Sequence, residues 1–269
     1  MKPCKALQSP AKPCKALQSP AKPCKALQSP AKPCKALLLL MFLMAFWVLG
    51  FVSHKYRIPP TNQIVSLYKY IMSIMGVERK NPNYPHIHDR VTLFNTFKQK
   101  GDIAFLGDSI TEGANWDQIF NNQKVANFGI GGNTIVGMVD MSDIVVDSGA
   151  KKIFIMGGVN DFSEMGYSVD KVFESYKKLI DKFNLNERTV FVQSTLKTKD
   201  TSVNSKIESL NSKLMDYCQN SGNCKFIDIN KDMLDGNLLS SSFTTDGTHL
   251  NGYGYKKWYD AIKDLVQTN

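Results

Sequence analysis

Four short motifs carry the residues of this chain that could do chemistry. They read GDSI at 107–110, NFGIGG at 127–132, GVND at 158–161 and DGTH at 246–249. A serine, a glycine-rich loop, an asparagine and an Asp-x-x-His pair are the groups that acyl transfer through a serine requires. Each motif alone is common, since a Gly-Asp-Ser turn also forms an ordinary helix N-cap. The four together, in this order, predict the chemistry of a serine esterase.

The first and last motifs supply a nucleophile and its base. Ser109 follows an apolar run, so its hydroxyl is expected at a strand-to-helix junction. A neutral serine is a poor nucleophile and needs a neighbouring base. His249 is the best candidate among the four histidines, because Asp246 lies three residues before it in a Gly-containing loop. The carboxylate would hold the imidazole Nδ1–H and stabilise the imidazolium.

The two middle motifs supply donors for an oxyanion. Gly132 can expose a backbone N–H with no side chain in the way, and Asn160 can direct its side-chain amide into the same space. The N–H of Ser109, near the positive end of a helix, is a third donor. A phosphate-binding loop is disfavoured, because no Walker lysine follows the glycines and the spacing is not G-x-G-x-x-G.

The order of the elements predicts an α/β fold. β-rich runs at 103–106, 125–127, 152–156, 189–193 and 225–228 alternate with helical patterns at 134–147, 169–183, 203–218 and 253–266. Five strands joined through helices predict a parallel sheet covered on both faces. Such folds place their sites at the carboxyl ends of the strands, where the first three motifs begin.

These four motifs resemble the blocks of the SGNH, or GDSL-type, hydrolases, which carry Ser, Gly, Asn and His in this order. The resemblance covers roughly residues 103–266, and GDSI departs from the commonest GDSL by one apolar residue. It implies a flavodoxin-like three-layer α/β/α sandwich with no metal or organic cofactor. It also implies Ser109 as nucleophile, Asp246 and His249 as its triad partners, and an oxyanion hole of Ser109, Gly132 and Asn160. The serine motif is not the G-x-S-x-G elbow of the α/β-hydrolases.

The remaining histidines and cysteines suggest no metal site. His86 and His88 lie in the run HIHD and are expected in a surface loop, and Cys4, Cys14, Cys24 and Cys34 recur without histidine partners. Cys218 and Cys224 flank a polar turn. They are either a small disulfide or two free thiols.

The N-terminal 35 residues are a basic repeat. A decapeptide, KPCKALQSPA, recurs there with eight lysines and seven of the eleven prolines, and is predicted to be disordered. Without those lysines the formal charge of +9 falls to +1. The rest of the chain therefore lacks the basic surface of a nucleic-acid binder. A translation start at Met41 would remove the repeat.

Residues 36–53 form a charge-free apolar run that predicts membrane targeting. The run is about the minimum length of a spanning helix, and the preceding lysines would keep the tail in the cytoplasm. An uncleaved anchor is favoured over a cleaved signal peptide, because no Ala-x-Ala site follows. The catalytic domain would then lie outside the cytoplasm, in the periplasm or the extracellular space.

A linker with amphipathic helices is expected at 54–100, leading into a hydrolase domain at 101–269. The helical pattern at 61–75 lies either on a membrane or on the domain, and a second helix is predicted at 90–98 after a break at 81–85. Core packing is expected of Trp116 and Met165, although both could line an acyl site.

The predicted function is hydrolysis of a short-chain acyl or acetyl ester through an acyl-enzyme. Acetylated sugars, lysophospholipids and short-chain esters are the substrates that the resemblance implies, with envelope glycans or lipids favoured by the membrane segment. An O-acyltransferase using the same triad is the first alternative. A non-catalytic glycan-binding module and an interaction protein acting through the repeat are further alternatives. The sequence does not indicate an oligomeric state.

Overall fold

The structure is a computed structural model that describes Met44 and residues 80–122, 124–184 and 188–267. The repeat at 1–35, the apolar run at 36–53 apart from Met44, and the helical pattern at 61–75 lie outside the described residues. Of the helices that are described, none combines the length and apolar character needed to cross a membrane. The elements below all lie in one unit, Tyr68–Asn269.

A parallel sheet of five strands forms the middle layer, as predicted. Its strands are β1 (Ile103–Gly107), β2 (Val125–Gly129), β3 (Lys152–Met156), β4 (Thr189–Gln193) and β5 (Lys225–Ile227), in the order β2-β1-β3-β4-β5. All four pairings are parallel. The strand β1 therefore lies between β2 and β3, and the order of the strands reverses at β1, where α/β folds place their sites.

Two helical layers cover the sheet. The helices are α1 (Tyr84–Phe97), α2 (Ser109–Glu112), α3 (Trp116–Ile119), α4 (Ile135–Asp140), α5 (Ser142–Asp147), α6 (Val159–Ser163), α7 (Val169–Asn184), α8 (Thr201–Ser221) and α9 (Gly252–Gln267). Two short strands, β6 (Leu234–Asp235) and β7 (Leu238–Leu239), pair antiparallel before α9. The three-layer α/β sandwich that the sequence predicts is thereby confirmed.

Side chains of β1 alternate between two apolar cores. Ala104 and Leu106 belong to the core shared with α4, α7 and α8, whereas Phe105 belongs to the core shared with α3 and α9. This alternation follows from the two-residue period of a strand. In the second core, Trp116 stacks on Phe105 with ring centroids 4.3 Å apart, and Trp258 packs edge-on against Trp116 at 4.8 Å. Trp116 therefore has the core position that was expected of it.

Two helix boundaries differ from the predictions. The predicted helix 134–147 is two helices, because the backbone at Met141 leaves helical geometry with φ −99° and ψ 6°. The bend lets Met138, Met141 and Val145 all reach the core. The helix predicted at 90–98 begins already at Tyr84, so of the predicted break at 81–85 only residues 81–83 lie outside it. Pro85 stands in the first turn of this helix, where a missing N–H costs no hydrogen bond.

A disulfide joins Cys218 at the end of α8 to Cys224 just before β5. Both half-cystines are buried, and their Cα atoms are 4.8 Å apart. Of the two alternatives for this pair, the structure has the disulfide. Disulfides persist mainly in proteins of oxidising compartments.

Candidate active site

Ser109 lies at the carboxyl end of the central strand. It is the first residue of α2, and Asp108 before it caps the helix by accepting the N–H of Ile110 at 3.0 Å. The N–H of Ser109 itself is among the first helical N–H groups, which have no partner within a helix. Ser109 lines a cavity of about 680 Å³.

His249 and Asp246 complete a hydrogen-bonded chain to Ser109. The Nδ1–H of His249 donates to Asp246 Oδ2 at 2.6 Å, and Nε2 lies 2.9 Å from the Ser109 Oγ. The bond from His249 is the main cause that holds the pKa of Asp246 well below its usual range, assisted by the N–H of Thr248. An ionised carboxylate only accepts, so Nδ1 carries the proton and Nε2 accepts from the hydroxyl. The structure thus brings these three predicted residues together.

The local backbone fixes the geometry of the Asp-x-x-His turn. Asp246 Oδ1 accepts the N–H groups of Thr248 and His249, both at 2.8 Å. Gly247 has φ +91°, a left-handed conformation that glycine adopts without strain. The loop is tied to the rest of the domain through α9, where the Tyr255 hydroxyl donates to the carbonyl of Ile110 at 2.8 Å.

Gly132 and Asn160 face the same cavity from the ends of the two neighbouring strands. Gly132 follows β2 and has φ +73°, and Asn160 lies in the first turn of α6 after β3. The Asn160 amide donates one hydrogen to the carbonyl of Asn133 at 2.9 Å. A side-chain amide has two hydrogens, so this bond orients the group and leaves the second hydrogen for a ligand.

Buried carboxylates connect the loops beneath the site. Asp161 accepts the N–H of Ile135 at 2.9 Å and so joins α6 to the start of α4. Burial is the main cause that raises the pKa of Asp161 to about 7, opposed by that N–H and increased by the charge of Asp108. Burial likewise raises the pKa of Asp108 to about 6, against the hydrogen bond from Ile110 and the attraction of His249.

A second polar cluster, which the sequence did not suggest, borders the cavity. Glu112 Oε2 accepts the N–H of Gly131 at 2.6 Å, and its other oxygen pairs with Arg90 Nε at 3.0 Å. His86 Nε2 lies 3.3 Å from the same Oε2. The expectation that His86 and His88 lie in a loop is wrong, because both belong to α1. One signal was available: Glu112 follows Ser109 by three residues and therefore lies one helical turn away.

Most of the residues that line the cavity have polar side chains. Besides the triad and oxyanion candidates, Asn83, His86, Ser163, Thr198 and Thr248 line it, and its apolar side chains are Ile110, Val159 and Val203. Three further carboxyl side chains, those of Asp108, Glu164 and Asp200, are at its walls, whereas no lysine or arginine of the described residues lines it. Met165 is buried and is not part of this lining.

The sequence matches a family model. The model of the GDSL-like lipase/acylhydrolase family aligns with residues 105–257, more than half of the chain. All four motifs fall within residues 105–257. None of the curated proteins compared with the chain matches it.

Solved structures share the fold. The chain is 26% identical to an inferred acylhydrolase from Bacteroides fragilis, with a TM-score of 0.59 and coverage of 66% of this chain and 94% of that one. A GDSL-like lipase from Bacteroides thetaiotaomicron has 22% identity, a TM-score of 0.59 and coverage of 67% and 97%. A mutant of a Geobacillus acetyl-xylooligosaccharide esterase has 14% identity, a TM-score of 0.53 and coverage of 64% and 96%.

The raised pKa of Asp161 predicts a pH-dependent stability. A carboxyl group whose folded pKa exceeds its unfolded value stabilises the fold below the unfolded value, and this contribution is lost as the pH rises through about 7. The unfolding free energy of the wild type should therefore fall between about pH 4.5 and about pH 7.5, and in Asp161→Asn this fall should be smaller by a few kcal/mol. Urea titrations at both pH values measure it, with the exposed Asp117→Asn as control. An equal change in unfolding free energy between the two pH values in the wild type and in Asp161→Asn would contradict the prediction.

Proposed function

The chain belongs to the GDSL-like lipase/acylhydrolase family and is an ester-hydrolysing enzyme, and we propose that it cleaves a short acyl ester through a Ser109 acyl-enzyme. One observation carries this proposal. Ser109, His249 and Asp246 form a continuous hydrogen-bonded chain, with distances of 2.9 and 2.6 Å, at the wall of a cavity. A serine that donates to an imidazole held by a carboxylate is the arrangement that activates a hydroxyl for attack.

In the first half of the proposed reaction, Ser109 Oγ attacks the carbonyl carbon of the ester as its proton passes to His249 Nε2. Negative charge develops on the carbonyl oxygen, which the N–H groups of Ser109 and Gly132 and the Asn160 amide would stabilise. Collapse of this intermediate breaks the bond to the alcohol, which leaves with the proton from His249. The acyl group remains on Ser109.

In the second half, water attacks the acyl-enzyme and gives its proton to His249. The acid departs, and the proton returns to Ser109. The side chains of His249 and Asp246 are 50% and 54% exposed, so solvent reaches the base directly. This exposure favours hydrolysis over transfer to a second alcohol, because a transferase has to keep water away from its acyl-enzyme. The intact triad speaks against a non-catalytic binding module.

The cavity lining supports an acetylated, uncharged glycan as the substrate. Three apolar side chains, Ile110, Val159 and Val203, offer enough apolar surface for a short acyl group but little for a lipid chain. Asp200 would repel the phosphate of an anionic lysophospholipid, and no described Lys or Arg lines the cavity to attract it. The fold itself admits this substrate class, as the Geobacillus esterase illustrates.

We also propose that the catalytic domain lies outside the cytoplasm, held at the membrane by residues 36–53. The apolar run, the lysines before it and the disulfide support this location. Thiol alkylation of freshly lysed, denatured cells should leave Cys218 and Cys224 unmodified unless a reductant is added first. Alkylation of both cysteines without reductant would contradict this proposal.

Substitutions in the triad and the oxyanion hole test the assigned roles. Ser109→Ala should abolish hydrolysis of p-nitrophenyl acetate, and His249→Ala should be comparably severe. Asn160→Ala should lower kcat by about 10²- to 10³-fold, the loss expected for one oxyanion donor. The exposed Ser242→Ala is a matched control that should retain full activity. Hydrolysis by Ser109→Ala at a rate near that of the wild type would remove Ser109 as the nucleophile.

A substrate panel tests the proposed specificity. The enzyme should release acetate from O-acetylated neutral oligosaccharides with a higher kcat/KM than it shows for lysophosphatidylglycerol, which is anionic, or an acyl-CoA thioester. Asp200→Asn should narrow this difference by weakening the repulsion of anionic groups. A preference of the wild type for the lysophospholipid would refute the glycan assignment. If a free sugar is added and the enzyme forms the acetylated sugar instead of releasing acetate, the enzyme is a transferase.

A further inference from the structure

Residues 80–97, here called the leading segment, contact the active site although they precede the stretch that the family model matches. The segment consists of a short loop followed by α1. Its polar side chains meet the loop Gly131–Asn133, which carries the proposed oxyanion donor Gly132. The contacts come from two directions and fix different peptide groups of that loop.

The first contact fixes the peptide after Gly132. The Nδ2 of Asn81 donates to the carbonyl oxygen of Gly132 at 2.9 Å. Asn83 packs so closely that a Cβ added to Gly132 would lie 2.3 Å from the Asn83 side chain. Gly132 therefore lies between the leading segment and the cavity.

The second contact fixes the peptide before Gly131. Glu112 Oε2 accepts the N–H of Gly131 at 2.6 Å. The leading segment holds this carboxylate, because Arg90 pairs with its Oε1 at 3.0 Å and His86 lies 3.3 Å from its Oε2. Glu112 also belongs to the helix that begins at Ser109, so it joins the nucleophile's helix to the oxyanion loop.

The peptide between these two carries the donor. The N–H of Gly132 belongs to the Gly131–Gly132 peptide, whose orientation depends on the peptides on either side of it. Asn81 and Glu112 hold those two neighbours. We propose that Asn81 and Glu112 are positioning residues that keep the Gly132 N–H directed at the oxyanion, and that the leading segment is thus part of the active site. This proposal rests on the proposed role of Gly132.

The expected effect falls on the transition state rather than on binding. The charge on the carbonyl oxygen develops only as Ser109 attacks, so a misdirected donor lowers kcat and leaves KM almost unchanged. Asn81→Ala and Glu112→Ala should each lower kcat by roughly 10-fold, less than the loss of a whole donor. Glu112→Gln retains an oxygen that accepts the Gly131 N–H and should restore kcat to within about threefold of the wild type.

The test measures kcat, KM and the thermal midpoint of the full-length chain with p-nitrophenyl acetate. Asn95→Ala is the matched control, since Asn95 is an exposed asparagine of α1 away from the cavity. Ser109→Ala is assayed in the same series. The expected result is a fall in kcat at constant KM for Asn81→Ala and Glu112→Ala, full activity for Asn95→Ala and recovery in Glu112→Gln.

Three results would overturn the proposal. The first is a kcat within about twofold of the wild type in both alanine variants. The second is a loss of kcat that Asn95→Ala shares, or that only follows the drop in thermal midpoint, because a structural role alone explains it. The third is equal kcat in Glu112→Gln and Glu112→Ala. An active Ser109→Ala would instead refute the serine mechanism, and with it the oxyanion role on which this proposal depends.

Discussion

The parallel pairing of β1 with both β2 and β3 is the constraint on which the site depends. Gly107 at the end of β1 is level with Gly129 of β2 and Met156 of β3. The chain therefore leaves the sheet at one edge three times, and each exit carries one polar group of the cavity wall: Ser109, Gly132 and Asn160. The imidazole of His249 and the carboxylate of Asp246 come from the loop before α9. That helix is held against the sheet by Trp258, which is fully buried.

Two opposite electrostatic environments meet around Ser109. Asp246 is half-exposed and strongly hydrogen-bonded, so its pKa is lowered and its charge is available to His249. Asp108 and Asp161 are buried, and burial raises the pKa of each. The proposed catalytic charge is thus kept at the surface, where solvation is inexpensive, while the buried carboxyl groups serve the architecture by binding backbone N–H groups. The half-exposure of Asp246 and His249 also supports water as the acceptor of the acyl group.

The sequence predicts the sheet and the residues that meet at the candidate active site, because both leave local patterns. The strands are short β-branched or aromatic runs, and the chemistry of acyl transfer restricts which serine, histidine and aspartate can cooperate. The contact of Ser109 with His249 spans 140 positions, yet the need for a base predicts it. The chemistry of acyl transfer does not require the contacts of Glu112 with Arg90 and Gly131, so the sequence does not predict them. A proline at position 85 predicts a break, although a proline is equally suited to the first turn of a helix.

Covalent trapping of the nucleophile tests the central claim most directly. The full-length protein is incubated with diethyl p-nitrophenyl phosphate, whose phosphorus is attacked by activated serines and whose tetrahedral adduct places an oxygen in the oxyanion hole. The modified residue is then located by peptide mass mapping. The hydrogen-bonded chain predicts one diethylphosphoryl group, on Ser109, formed much more slowly in His249→Ala. A protein that stays unmodified, or that carries the group on other residues while Ser109 remains free, would contradict the serine mechanism.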